Sequence, residues 1–154
     1  MFRGFLILAV GLIVLQGCAT TQHQSGQTAP PFASLPQEHQ DIYLAVLRHM
    51  FAYCKGRRFG PPDRFLLRIG NKDAPADLLL RLRSEGYDVL PASRYRRNRG
   101  VECSLQELEG VSASRAKVSG GYGYAALGGA WGYFHLRKEH GQWRVVSWTP
   151  EVFA

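Results

Sequence analysis

Cysteine is scarce in this chain: three among 154 residues, at positions 18, 54 and 103. So few thiols exclude a disulfide-dense scaffold and a cysteine-rich zinc module. Long apolar runs are almost absent too. Phe5 to Leu15 is the one extended stretch, and it is too short for a comfortable bilayer span. No later segment is long enough to cross a membrane, and no internal repeat points to a solenoid or propeller. Acidic residues are outnumbered, 12 Asp and Glu against 19 Lys and Arg, for a formal charge of +7.

What is present starts at the N-terminus. Arg3 supplies a positive n-region, Phe5 to Leu15 an h-region of secretory length, and Leu15-Gln16-Gly17-Cys18 follows directly. No A-x-A-like cleavage site precedes Cys18. This arrangement resembles the lipobox of bacterial lipoproteins. The resemblance implies that residues 1–17 are a signal peptide and that Cys18 is acylated and becomes the new N-terminus. More than one acyl chain makes a stable anchor. In Gram-negative lipoproteins a residue other than Asp after the cysteine implies the outer membrane, facing the periplasm, and Ala19 stands there.

Residues 18–33 are rich in Thr, Gln, Ser and Pro and lack apolar periodicity, so they read as a flexible tether. Residues 34–154 are then a single domain, large enough to bury its own core. The basic balance survives removal of Arg3. It fits an anionic envelope component or, equally, a solvated face beside an anionic bilayer. Export argues against nucleic acid. Cys54 and Cys103, the two thiols left after Cys18, are candidates for one disulfide in an oxidising space; two separate buried thiols are the alternative.

The domain is expected to open with a helix. Ser34 and Gln37 fit a capping box, with Pro36 in the first turn. Ile42, Val46, Met50 and Tyr53 recur at helical spacing, and the helix should end near Tyr53. Phe65 to Ile69 reads as a short strand. Asp73 is a candidate N-cap for a second helix over Ala76 to Ser84, with Leu78, Leu79, Leu82 and Leu80 supplying its buried side. From Val101 the pattern turns to β. Ala113 to Tyr124, Ala130 to Lys138 and Gln142 to Thr149 form three long antiparallel strands, with Glu139-His140-Gly141 as the final turn. Helix and sheet must cover one another, which gives an α+β domain.

The helix over Ile42–Tyr53, the strand Trp131–Leu136 and the closing Gly141-Gln142-Trp143-Arg144-Val145-Val146 together resemble the cystatin-like or nuclear-transport-factor-like roll. The resemblance implies an N-terminal helix packed on a curved antiparallel sheet with a short second helix. Enzymes on such rolls place Asp and His in the open mouth of the sheet. These strands carry no such pair.

Candidate sites are few. The glycines from Gly120 to Gly129 are not followed by a helix, so they indicate sheet curvature rather than a phosphate loop. His49 on the helical stripe, with Trp131, Tyr133 and His135 on one strand face, could line a shared pocket; an aromatic core is the competing reading. Two histidines do not make a metal site, and no cofactor is implied. Arg94, Arg96, Arg97 and Arg99 form the densest charge cluster and are candidates for contact with an anionic partner. The sequence thus indicates a membrane-anchored envelope lipoprotein that is a non-catalytic binding or interaction module, partnered by an envelope protein or an anionic envelope component. The alternatives are a small-ligand carrier with a helix–sheet pocket and an envelope hydrolase. Cys18→Ala should abolish incorporation of an acyl-chain analogue in growing cells; undiminished label would return Cys18 to the folded chain.

Overall fold

The computed structural model describes residues 30–56, 64–94, 100–124 and 128–153. Helix α1 spans Gln37–Lys55 and α2 spans Ala76–Ser84. Seven strands complete the described chain: β1 Phe65–Ile69, β2 Lys72–Asp73, β3 Val89–Pro91, β4 Val101–Glu109, β5 Arg115–Tyr124, β6 Gly128–Glu139 and β7 Gln142–Phe153. They form one sheet in the order β2-β1-β4-β5-β6-β7, with β3 also paired to β1. The fold is α+β, with a helix packed on a curved sheet. No described helix is long and apolar enough to cross a membrane.

The apolar stripe of α1 is buried throughout: Ile42, Val46, Leu47, Met50, Phe51 and Cys54 are fully covered. The helix starts without the expected capping box. Pro36 is the N-cap, and its carbonyl accepts from the amides of His39 and Gln40. The Ser34 hydroxyl instead donates to the Pro31 carbonyl, and the Gln37 amide donates to Asp41. Ordered structure also begins earlier than Ser34. Phe32–Ser34 is a short 3-10 turn and Phe32 lies in the core. Asp77, at the start of α2, accepts hydrogen bonds from the amides of Phe32 and Ala33 at 3.0 and 2.7 Å.

Two further expectations about α2 change. Pro75, not Asp73, is its N-cap; Asp73 pairs with Arg68 in β2 and accepts from the Ser93 amide at 2.7 Å. Leu80 points to solvent, 63% exposed, because it lies opposite Leu78 and Leu82 on the helix. The sheet is mixed rather than wholly antiparallel. Strand β1 runs parallel to β3 and β4, the arrangement that a helical crossover through α2 permits. The antiparallel meander has four strands, β4 to β7, instead of three.

Alternation along β6 sets the faces. Ala130, Phe134 and Leu136 are buried, whereas Tyr133, His135 and Arg137 are exposed. In β7, Trp143 and Val145 face inward. A bulge follows: Leu136 pairs with Val145 but His135 pairs with Ser147. Val146 is the extra residue, 51% exposed. The bulge shifts the parity, so Trp148 turns inward and stacks on Phe134 at 4.9 Å with planes 6° apart. A second bulge in β4, between Leu105 and Leu108, likewise keeps both leucines on the core side.

A row holding two glycines and a proline crosses the meander. Leu105, Gly120, Gly132 and Pro150 are register partners across β4, β5, β6 and β7. A Cβ on Gly120 would lie 2.7 Å from the Ser104 carbonyl oxygen, and one on Gly132 would lie 2.8 Å from the Pro150 Cα and closer still to the Thr149 carbonyl. Backbone thus passes where side chains ordinarily stand. Gly132→Ala should cost about 2–4 kcal/mol by overpacking, read as a drop in urea midpoint. Gly123→Ala, whose Cβ would meet nothing within 4 Å, should stay within about 1 kcal/mol of the parent. Equal effects would show that close approach does not govern this row.

Candidate functional site

Aromatic side chains pack between the C-terminal half of α1 and the sheet. Tyr53 of α1 meets the edge of Trp148 at 5.0 Å and packs against Tyr122 at 5.7 Å; Tyr122 meets Tyr124 at 5.5 Å. His49 sits against Phe134 at 6.1 Å, edge to face, and burial lowers its pKa. The expected pocket does not assemble. His49 contacts the covered face of β6, whereas Trp131, Tyr133 and His135 occupy its odd positions and lie on the opposite face. Their sharing of one face was readable from the alternation. Which face α1 would cover was not.

One concavity lies between the N-terminal half of α1 and the β6–β7 hairpin. It is an open cleft of about 480 Å³ lined by Asp41, Ala45 and Arg48 from the helix and residues 141–145 from the hairpin. The charged groups that α1 contributes are already engaged, whereas Arg144 of the hairpin has no ion pair among the described residues. Arg48 grips Glu85 through two hydrogen bonds of 2.8 and 2.6 Å, and that guanidinium holds the Glu85 carboxyl below its usual range. Asp41 accepts from Gln37. At the cleft's rim Lys138 bridges to Glu38 at 2.9 Å. The lining offers neither a nucleophile beside a base nor a pair of carboxylates, and the described residues hold no cluster able to ligate a metal.

Cys54, in the last turn of α1, and Cys103 of β4 meet in the core. Both are fully buried thiols, one hydrogen-bonded to the other, and the Tyr124 hydroxyl donates to the Cys54 carbonyl at 3.5 Å. Burial pushes the Cys103 thiol well up. The expected disulfide is not formed: both sulfurs are free thiols.

Of the arginine loop, Arg94 is exposed at the end of the 3-10 turn Ala92–Arg94; Arg96, Arg97 and Arg99 lie outside the described residues, as does Cys18. A different basic feature emerges on the sheet's outer face. Arg115 pairs with Arg137, and Arg137 with Arg144, so three exposed arginines stand abreast on β5, β6 and β7. One step inward, Lys117 lies over the Tyr133 ring at 3.6 Å and bridges to Glu109 at 3.3 Å, with His135 beside it. Strand register aligns these arginines: Arg137 and Arg144 flank the β6–β7 turn, and β5 adds Arg115 from farther up the chain.

No protein-family model, curated protein or solved structure matches this chain.

The buried thiols should be kinetically silent. In the reduced, folded protein, alkylation at Cys54 and Cys103 should run on the order of a hundredfold or more slower than in denaturant, limited by local opening. Peptide mass spectrometry would read both positions. Rapid labelling of either in the folded state would contradict the packing.

Proposed function

We propose that this chain is a membrane-anchored envelope lipoprotein whose domain is a non-catalytic interaction module working through its surface. The aromatic packing beneath α1 carries this reading. A carrier needs a concave, largely apolar chamber. Here Tyr53, Tyr122, Phe134 and Trp148 pack between the C-terminal half of α1 and the sheet. A hydrolase needs an acid–base pair or an activated nucleophile within hydrogen-bond reach. Neither the cleft lining nor the face bearing His135 supplies one among the described residues. The anchor at Cys18 rests on the lipobox resemblance, and the basic outer face suits an anionic or acidic partner.

Native mass spectrometry of the full chain, extracted gently from membranes, tests the carrier alternative. The expected mass is that of the polypeptide with its acyl modification and nothing else. A stoichiometric small molecule that leaves on activation, and is lost in a Phe134→Ala variant, would overturn the reading in favour of a carrier.

A further inference from the structure

Like charges placed directly opposite on neighbouring strands destabilise a sheet. Arg115, Arg137 and Arg144 form two such pairs in succession, and all three are exposed on the outer face. Strands stand about 4.8 Å apart, so the row is roughly 10 Å wide. Among the described residues none of the three takes part in an ion pair. The acidic groups nearby, Glu109, Glu139 and Asp41, form no ion pair with them. Glu109 is engaged by Lys117, and Glu139 lies two residues beyond Arg137 near the turn without an ion pair among the described residues. Behind the row, Lys117 and His135 add further basic groups, and then Tyr133, 42% exposed, and Trp131 follow on the same face.

We propose that this row is a docking surface for the phosphate groups of anionic phospholipids, so that the outer face of β5, β6 and β7 lies against the membrane surface. Guanidinium groups bind phosphate through paired N–H donors, and three abreast can engage neighbouring head groups without rearrangement. Exposed Tyr133 and half-buried Trp131, on the same face as the basic row, match the chemistry of the membrane–water interface, where amphipathic rings settle at head-group level. The repulsion within the row, uncompensated inside the protein, is relieved by an external anion. The inference deepens the proposed surface role and rests on that role being exercised at a membrane.

The test uses the full chain reconstituted into nanodiscs and reads phenylglyoxal modification of individual arginines by peptide mass spectrometry. In discs with 30% phosphatidylglycerol in phosphatidylcholine at low salt, Arg115, Arg137 and Arg144 should react at least about fivefold more slowly than in pure phosphatidylcholine, the size expected of a basic side chain at an anionic surface. Salt at 0.5 M should erase the difference, and exposed Arg81 of α2 serves as the reference. Arg137→Gln should weaken protection of its two neighbours while leaving the thermal midpoint unchanged or raised, because it removes repulsion; a lowered midpoint would mark the row as structural. Equal reactivity in the two discs would overturn the proposal. So would equal protection by 10 mM inorganic phosphate in neutral discs, which would identify a site for free phosphate. Acyl labelling at Cys18 is read separately, so a failed anchor and a failed docking surface give different results.

Discussion

Val146 adds one residue to β7, and the direction of Trp148 depends on it. In an unbroken strand, Trp143 and Val145 facing the core would place Ser147 inside and Trp148 in water. With the bulge, the indole turns under α1, stacks on Phe134 and closes the space beside Tyr53. An aromatic ring there contributes the area that a small curved sheet would otherwise lack. The aromatic packing between the C-terminal half of α1 and the sheet is therefore a consequence of register as much as of composition.

Packing on the inside and charge on the outside have a common origin. The meander curves over α1, so its concave face packs against the helix. The convex face keeps its alternate residues in solvent, and β5, β6 and β7 place basic groups at neighbouring positions there. A sheet with one covered face and one wet face ordinarily distributes mixed charge across the wet one. The aligned arginines depart from that pattern at the end nearest the β6–β7 turn.

Much of this architecture is legible in the residues. The spacing of Ile42, Val46 and Met50 describes α1, and the alternation around Phe134 and Leu136 separates the two faces of β6. The glycines from Gly120 to Gly129 read as structural rather than as a phosphate loop, and at Gly120 and Gly121 neighbouring backbone does pass close. Three kinds of information were not accessible. Parity shifts at Val146 and between Leu105 and Leu108 depend on pairing partners. The parallel pairing of β1 with β4 depends on where α2 packs. The alignment of Arg115, Arg137 and Arg144 exists only in register. Asp73 was misread for a related reason: as a lone acidic residue before Pro75 it looks like a helix cap, yet β2 draws it into the sheet to hold the Ser93 amide.

The clamp on Phe32 and Ala33 by Asp77 also determines how the domain responds to force. A pull on the chain upstream of Pro31 is delivered first to two short hydrogen bonds and one buried phenyl ring, and through them to the first turn of α2. The helix α1 lies behind this attachment and is shielded from direct tension. The Asp77 clamp behaves as a strain relief, so the mechanical threshold for disturbing the core is set by a carboxylate on a different element from the one being pulled.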